Sequence, residues 1–498
     1  MTVKLSRRIL LSGFSALAMV GSAWAGAPAV SLRPRVRNAR VTRMALGGVE
    51  NVVAASGLSG QIGVAVADVS SGRALESLNG DKGLPPASVA KAVTALYALD
   101  ALGAGHRFRT SLLATGPVQN GVLSGDLILA GGGDPLLNTD HLAGLASQLK
   151  AKGVREVRGD FKVYEAALPF VKSIDPGQPD QLGYSPAVSG IALNFNRVHF
   201  EWKRASKGYS VTMDARTERY RPDVQMAKMR IVNRKSPVYT YADKNGADQW
   251  TVAGAALGKG GSRWLPVRRP GDYAADVFRT LARSQGIVLK PAQTTRSVPG
   301  GTAVLAQHAS EPLQEILRGM LRFSNNLTAE MVGLSASAAK GGRPGSLKDS
   351  ASRMSRWAAQ KYGMSGTRLV DHSGLGDASR MTARGLVTAL VQVRKSGVLR
   401  PILKPVAMRD SKGRVDRSHP IKVNAKTGTL NFVSGLGGYM TAADGTEMAF
   451  AIFAADTNAR SRIKRAQREQ AQGARGWNGR AKKLQLALIE RWGVLYGS

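Results

Sequence analysis

The chain has 498 residues, of which 43% are hydrophobic, and carries a formal net charge of +36 at pH 7. This length exceeds what one ordinary hydrophobic core organises, so we expect two or three well-packed domains. Because the sequence contains no cysteine, disulfide bonds and thiol catalysis are excluded.

The first residues have the pattern of a cleavable export signal. Lys4, Arg7 and Arg8 precede an apolar stretch from Ile9 to Val20, and the small-residue site Ala23-Trp24-Ala25 follows. We therefore predict a signal peptide over residues 1–25 and a periplasmic mature protein. The adjacent arginines leave both the Sec and the twin-arginine export routes open. No later stretch approaches the roughly 20 apolar residues that span a bilayer.

The first elements of the mature chain are a hairpin and a helix. Ile62, Val64 and Val66 alternate with small residues, and a Ser70-Ser71-Gly72 turn leads into Arg73 to Leu78, which predicts a β-hairpin. After Pro85-Pro86, apolar residues recur with helical spacing as far as Leu102. Ser88 is therefore predicted to lie in the first turn of a buried helix.

Ser88 has two interpretations. A serine at a helix start is often an N-cap. However, Lys91 follows it by three residues and falls on the same face, where a lysine could serve as the base for a nucleophilic hydroxyl. A lysine among apolar neighbours is costly to bury without such a partner, and this favours the catalytic interpretation.

The middle of the chain predicts inserted, mostly β structure. Ser88 and Ser324 are 236 positions apart, which is more than one helical subdomain needs. Strand-like segments occur at Asp126 to Ala130 and at Asp160 to Val163, separated by turn-rich stretches. We expect one or two mostly β domains here.

The C-terminal region predicts three strands and a closing helix. The strands cover Lys422 to Leu430, Phe432 to Thr441 and Glu447 to Ala455. The helix follows from the spacing of four apolar residues, Leu484, Leu488, Trp492 and Leu495. A sheet flanked by helices from both chain ends gives an α/β (α+β) fold class.

Three short motifs stand in a fixed order: Ser88-Val-Ala-Lys91, Ser324-Asn325-Asn326 and Lys426-Thr427-Gly428. Each motif alone is weak, since S-x-x-K also occurs at Ser147/Lys150. Together and in this order they are the S-x-x-K, S-x-N and K-T-G set of the penicillin-recognising serine enzymes. The sequence therefore indicates an acyl-transfer site.

The chain resembles the D-alanyl-D-alanine carboxypeptidase/endopeptidase family, the class C low-molecular-mass penicillin-binding proteins. The resemblance also rests on Gly132-Gly133-Asp134-Pro135, Leu193-Asn194-Phe195-Asn196, Ser373-Gly374-Leu375 and Gly438-Tyr439. It implies a transpeptidase-like domain with two further domains inserted between the first and second motifs. We place the catalytic domain at 45–105 and 305–498, inserted domain II at 106–134 and 216–304, and inserted domain III at 135–215.

The motif residues have chemically distinct expected roles. Ser88 would attack the penultimate D-alanine carbonyl, a neutral Lys91 would take its proton, and Ser324 would relay a proton to the leaving amine. Asn326 is expected to contact Lys91 and the substrate, and Lys426 and Thr427 are expected to bind the substrate carboxylate. Gly428 would lie beside a substrate that adds to an edge strand. The N–H groups of Ser88 and Thr429 would bind the oxyanion.

Two positions depart from the family pattern. Where many members carry an aspartate after Gly159, this chain has Tyr164-Glu165, and Ser373-Gly374-Leu375 is followed by Gly376-Asp377. Fine substrate preference, including the third residue of the stem peptide, stays open.

Other chemistries rank below this one. The six histidines are scattered and show no metal-binding spacing, so neither a metal nor a cofactor is expected. Asp371 and His372 are adjacent, which does not suit a Ser-His-Asp triad. A β-lactamase or esterase on the same fold and a non-catalytic wall-binding protein remain as alternatives.

The expected partners are peptidoglycan stem peptides and cross-links, with β-lactams as inhibitors, whereas export excludes nucleic acid. The densest basic tract begins at Arg460 and ends at Lys483. It has two interpretations: a solvated face, or a surface that adheres to membrane or wall polyanions. The oligomeric state stays open.

Overall fold

The computed structural model describes residues 47–410 and 412–497. The predicted signal peptide, residues 1–25, lies outside these residues. Within the described ranges, no helix is both long and apolar enough to cross a membrane.

The helices and strands alternate irregularly along the chain. The α-helices are α1 (Val49–Ala55), α2 (Ala90–Leu102), α3 (Thr139–Ala151), α4 (Pro270–Ser284), α5 (Leu313–Phe323), α6 (Asn326–Gly341), α7 (Leu347–Tyr362), α8 (Ala383–Arg394), α9 (Thr457–Ser461) and α10 (Ala474–Tyr496). The strands are β1 (Gln61–Asp68), β2 (Ala74–Leu78), β3 (Arg109–Ala114), β4 (Val118–Gln119), β5 (Val122–Leu123), β6 (Leu127–Gly131), β7 (Glu156–Val157), β8 (Phe161–Tyr164), β9 (Arg197–Arg204), β10 (Tyr209–Asp214), β11 (Ala227–Val232), β12 (Tyr239–Lys244), β13 (Ala247–Ala253), β14 (Gly260–Pro266), β15 (Gln293–Thr295), β16 (Ala303–Ala309), β17 (Lys404–Pro405), β18 (Lys422–Leu430), β19 (Val433–Thr441) and β20 (Glu447–Ala455).

One antiparallel sheet joins the two ends of the described chain. Its order is β17-β18-β19-β20-β1-β2, so the N-terminal hairpin pairs with the last of the C-terminal strands. The predicted hairpin and the three predicted C-terminal strands are confirmed, and the predicted closing helix is α10. The α/β (α+β) class is likewise confirmed.

Both faces of this sheet are buried, because alternate side chains of a strand point to opposite faces. Ile62, Val64 and Val66 join one core with α1 and α10, whereas Ala65 and Ala67 join another core with α2 and α5 to α8. On the second face, α8 packs against β1 and β20, and the turn that precedes α2 packs against β18 and β19. This brings Ser88, just before α2, next to the C-terminal strands.

The region assigned to the inserted domains, residues 106–304, is mostly β, as predicted. It contains three sheets of three strands each, and together with β16 it forms a five-stranded sheet, β15-β8-β6-β3-β16. β8 lies in the range assigned to inserted domain III, yet it pairs with β6 and β15, which lie in ranges assigned to inserted domain II. The domain limits themselves stay a prediction.

Candidate active site

Ser88 lies in a single 3₁₀ turn, Ala87–Val89, that leads directly into α2. Ala87 has a left-handed backbone with φ of 46°, which is costly for a residue with a side chain. Two glycines allow neighbouring segments to approach this turn closely. A Cβ on Gly374 would lie 1.9 Å from the Ala87 carbonyl O, and one on Gly428 would lie 2.9 Å from the Ser88 N.

Lys91 is fully buried and its Nζ contacts three groups of different origin. The Nζ atom lies 3.0 Å from Ser88 Oγ, 2.7 Å from Asn326 Oδ1 and 2.8 Å from the Ser373 carbonyl O. The last two oxygens only accept hydrogen bonds. A neutral amine has two N–H groups for them and a lone pair left for the Ser88 hydroxyl proton, which is the arrangement that a general base requires.

The second motif is divided between a turn and a helix start. Ser324 ends α5 with a left-handed backbone, φ 58°, and Asn326 begins α6. Asn325 accepts a hydrogen bond from the Thr328 N–H and so caps α6, consistent with the expectation that it points away from Lys91. Asn326 Nδ2 donates to the Tyr184 carbonyl O at 2.9 Å, which directs its Oδ1 toward Lys91.

The third motif lies on β18, beside the Ser88 turn. Lys426 Nζ donates to Ser324 Oγ at 3.0 Å and to the Thr427 carbonyl O at 2.6 Å. Thr429 lines the same cavity as Ser88. The structure thus brings all three predicted motifs together.

β18 is an edge strand over only part of its length. β17 pairs with Asn424 and Ala425 and leaves Lys426 to Leu430 open. The glycine at 428, expected beside a bound substrate, also meets a need of the protein itself. Its missing Cβ admits the close approach of Pro86 and Ser88.

Burial lowers the pKa values of both motif lysines. The pKa of Lys91 falls to about 8, because burial outweighs the opposing charges of Glu330 and Asp371. The pKa of Lys426 falls to about 6, first through burial and then through the charge of Lys91. The expectation of a Lys91 that can be neutral is therefore supported, and Lys426 is the more readily deprotonated of the two.

Two buried acids beneath the site were missed by the sequence reasoning. Glu330 accepts hydrogen bonds from the His372 and Ser373 N–H groups, each at 2.9 Å. Asp371 accepts from the Gly374 and Gly376 N–H groups at 2.7 and 2.6 Å. Together they fix the loop whose Ser373 carbonyl contacts Lys91. Glu330 follows Asn326 by four residues on α6 and therefore lies on the same helix face. This spacing is the feature of the sequence from which its place near the site could have been predicted.

The other titratable candidates lie elsewhere. His372 is fully buried, contacts Ser350 Oγ at 2.7 Å, and burial lowers its pKa to about 3. It is a neutral core residue. Glu165 accepts from the Gly271 N–H. Among the described residues, no group of three or more His, Asp or Glu side chains is arranged to hold a metal ion.

The cavity beside Ser88 has a volume of about 290 Å³ and a basic outer wall. Arg460 and Arg468 line it, and both form ion pairs with Asp377. Arg460 is only 8% exposed. Arg460 and Arg468 of the basic tract therefore join it to the loop after Ser373, whereas Arg462, Lys464 and Arg465 between them are exposed.

Comparisons with known proteins agree with this geometry. The model of the D-Ala-D-Ala carboxypeptidase 3 (S13) family matches residues 46–474. A D-alanyl-D-alanine carboxypeptidase of Actinomadura sp. strain R39 is 29% identical over 78% of this chain and 77% of the relative. D-alanyl-D-alanine carboxypeptidase DacB of Haemophilus influenzae is 25% identical over 79% of this chain and 85% of the relative.

A solved structure supports the fold. The crystal structure of penicillin binding protein 4 (dacB) from Haemophilus influenzae superposes with a TM-score of 0.69 at 21% identity, covering 88% of this chain and 99% of that one. Because the family match extends over most of the sequence and includes all three motifs, the chain belongs to the D-Ala-D-Ala carboxypeptidase 3 (S13) family.

Proposed function

We propose that the chain is a serine DD-peptidase that cleaves the terminal D-Ala-D-Ala bond of peptidoglycan stem peptides, D-Ala-diaminopimelate cross-links, or both. The observation that carries the proposal is the position of Lys91 Nζ, 3.0 Å from Ser88 Oγ and held by two acceptors on other segments. The family and the similar carboxypeptidases support the same reaction.

Acylation follows from these contacts. Ser88 Oγ bonds to the penultimate D-alanine carbonyl carbon, and its proton passes to neutral Lys91. The N–H groups of Ser88 and Thr429 would bind the oxyanion, at about 3 kcal/mol per donor. The C–N bond then breaks, and the departing amine takes a proton through Ser324. Water finally hydrolyses the ester and restores Ser88.

Substrate binding would change the protonation of Lys91 and Lys426. Without substrate, Lys426 has the lower pKa, about 6. A substrate carboxylate, bound with Thr427, would raise the pKa of Lys426 and protonate it. Electrostatic coupling is reciprocal, so the charge gained by Lys426 would lower the pKa of Lys91, while the carboxylate charge would offset part of that effect.

Acylation by penicillin tests the proposal. Intact-mass spectrometry of the protein with penicillin should show one added penicillin mass, and Ser88→Ala should show none. Equal labelling of both proteins would reject the assignment of Ser88. Slow release of the penicilloyl group favours the peptidase over a β-lactamase, and chromatography of defined wall fragments separates carboxypeptidase from endopeptidase activity.

Export and surface contact belong to the same proposal. We infer a periplasmic location from the N-terminal signal pattern, which lies outside the described residues. The second half of the basic tract, Arg475 to Lys483, includes exposed cations on α10. These would contact anionic groups of the membrane or wall.

A further inference from the structure

One wall of the Ser88 cavity is an irregular loop, residues 172–185, which we call the Tyr184 loop. Gln178 and Tyr184 of this loop line the cavity. Asn326 of the second motif reaches the loop directly, because its Nδ2 donates to the Tyr184 carbonyl O at 2.9 Å. A backbone carbonyl of the inserted region therefore contacts a residue of the catalytic site.

The Tyr184 carbonyl determines which end of the Asn326 amide faces Lys91. In the structure, Asn326 Oδ1 accepts from Lys91 Nζ at 2.7 Å. After half a turn of the amide, its oxygen would face the Tyr184 carbonyl O, and two acceptors repel each other. The amide N–H groups would then donate to the lone pair of neutral Lys91, which must take the proton of Ser88. The observed orientation therefore keeps the base available.

Arg268, two residues after the end of β14, holds the Tyr184 loop from the inserted region. Arg268 is only 4% exposed, and its guanidinium donates to three carbonyl oxygens of the loop, those of Lys172 at 3.1 Å, Asp180 at 3.0 Å and Ser185 at 2.6 Å. These carbonyls lie at the start, in the middle and at the end of the loop. Because Ser185 directly follows Tyr184, Arg268 fixes the peptide next to the carbonyl that Asn326 contacts.

Arg268 is itself anchored by buried groups. Its backbone N–H donates to Asp248 Oδ2 at 2.8 Å, and the Tyr241 hydroxyl donates to Asp248 Oδ1 at 3.0 Å. Asp248 is fully buried. A buried guanidinium is costly unless its N–H groups have acceptors, and its planar fork of donors suits carbonyl oxygens that are held in fixed positions. A connected set of contacts therefore leads from Asp248 through Arg268 and the Tyr184 loop to Asn326.

We propose that Arg268 is a positioning residue for the acyl-transfer site. Through the Tyr184 loop it holds the Asn326 amide in the orientation that leaves the lone pair of Lys91 free for the proton of Ser88. This inference rests on the proposed function, because it assigns Lys91 the role of base. It also gives the inserted region a part in the reaction, although Arg268 itself does not contact Ser88 or Lys91.

The rate of β-lactam acylation, measured by stopped flow with a chromogenic β-lactam, tests the proposal. Arg268→Met keeps the length of the side chain and removes its donors. We expect acylation to slow about tenfold or more, as for the loss of buried hydrogen bonds. Arg279→Met is the matched control, because Arg279 is a half-buried arginine of α4 that donates only to the Leu289 carbonyl O, outside the loop. It should acylate within about twofold of wild type.

A double-mutant cycle separates positioning from a general loss of stability. If Arg268 acts through Asn326, the Arg268→Met, Asn326→Ala double variant should acylate within about twofold of Asn326→Ala alone. A fall by the same factor as in the wild-type background overturns the proposal, and so does a wild-type rate in Arg268→Met. If Arg268→Met does not fold, Arg268→Lys passes through the same cycle, since it keeps the charge and loses the planar fork.

The pH profile of acylation gives a second criterion. In Arg268→Met the midpoint should move below that of wild type, because a released Asn326 amide stabilises neutral Lys91 and no longer accepts from its ammonium form. Loss of the Arg268 charge acts in the opposite direction, since removal of a positive charge raises the pKa of a nearby lysine. A midpoint at or above the wild-type value therefore overturns the proposal.

A failure of the proposed function is distinguishable from a failure of this inference. If the wild type is neither acylated by β-lactams nor able to hydrolyse a D-Ala-D-Ala peptide, the DD-peptidase proposal falls. Hydrogen exchange of wild type and Arg268→Met then decides whether Arg268 positions the site. Faster exchange of the variant in both residues 172–185 and residues 324–330 supports the positioning role, and unchanged exchange in residues 324–330 overturns it.

Discussion

At the scale of single residues, the site depends on what surrounds Lys91. Burial lowers its pKa to about 8, so about a tenth of the amine is neutral at pH 7. The rate of β-lactam acylation should therefore rise with pH through about 8. Glu330 acts on Lys91 in two ways. Burial raises the pKa of Glu330 itself to about 8, whereas the His372 and Ser373 N–H groups favour its carboxylate form, whose charge raises the pKa of Lys91. Its oxygens also hold the loop of Ser373.

Glu330→Gln should change both the rate and its pH dependence. Loss of the negative charge makes the protonated amine less favourable, so the midpoint of the pH profile should move below that of wild type. The amide has one acceptor oxygen where the carboxylate used two, so one of the His372 and Ser373 N–H groups loses its partner. We expect the plateau rate to fall about tenfold or more, consistent with an unsatisfied buried group of about 1–3 kcal/mol.

Stopped-flow acylation with a chromogenic β-lactam from pH 6 to 9 measures this prediction. Glu315→Gln is the control, because Glu315 lies at the surface in the first turn of α5. A midpoint that stays at the wild-type value, or moves to higher pH, would contradict the role given to the Glu330 charge.

At the scale of elements, α6 connects the site to the core. It carries Asn326 and Glu330 on one face, and one turn later Gly333 lies against the ring of His372. A Cβ at Gly333 would lie 2.2 Å from His372 Cγ. The ring cannot easily retreat, because Ser350 Oγ and Met354 Sδ contact its two nitrogens. The position of α6 therefore depends on this glycine.

Gly333→Ala should destabilise the protein, contrary to the usual effect of replacing a helical glycine. Overpacking of a filled core costs about 1–3 kcal/mol, and a displaced α6 would also slow acylation. Gly479→Ala on α10 is the control. A Cβ there meets no atom within 4 Å, so the change should raise the free energy of unfolding by about 0.4–1 kcal/mol. Urea unfolding followed by tryptophan fluorescence measures both, and shifts of the same sign would refute the argument.

The elements were predictable from sequence where local pattern determined them. β18, β19 and β20 match the predicted ranges to within one residue at either end, because short strand-forming segments bounded by turn residues such as Asp444-Gly445 specify strands. The three motifs also located the site. Glu330 and the ion pairs of Arg460 could not be predicted in this way. The partners of Arg460 and Glu330 are 83 and 43 residues away, and only packing brings them together.

At the scale of the whole molecule, ion pairs divide the basic tract into two parts. Arg465 and Arg468 reach Asp180 and Asp175 in the inserted region, and Arg263 of that region reaches Glu469. This first part therefore connects the catalytic sheet to the inserted structure beside the Ser88 cavity. The second part, at the start of α10, keeps exposed cations at Arg475, Arg480, Lys482 and Lys483. Because no ion pair within the described residues joins these four cations to the inserted region, this part is the more available to an external polyanion.

The exposed cations of α10 predict salt-dependent binding to anionic surfaces. With a formal charge of +36, the protein should sediment with phosphatidylglycerol vesicles at ~0.01 M salt, where the Debye length is about 30 Å, and be released well above 0.15 M, where it is below about 8 Å. Vesicles of neutral phosphatidylcholine should not retain it. Replacing Arg475, Arg480, Lys482 and Lys483 by glutamine should weaken binding to the anionic vesicles.

The control removes the same charge elsewhere. Lys203, Arg204, Lys207 and Lys259 are also exposed, and their replacement by glutamine should weaken binding much less. The reason is that a surface contact is dominated by cations within one Debye length of the anionic groups, whereas distant charges are screened. Equal weakening by the two sets would assign the attraction to net charge and not to α10, and binding that persists at high salt would exclude an electrostatic contact.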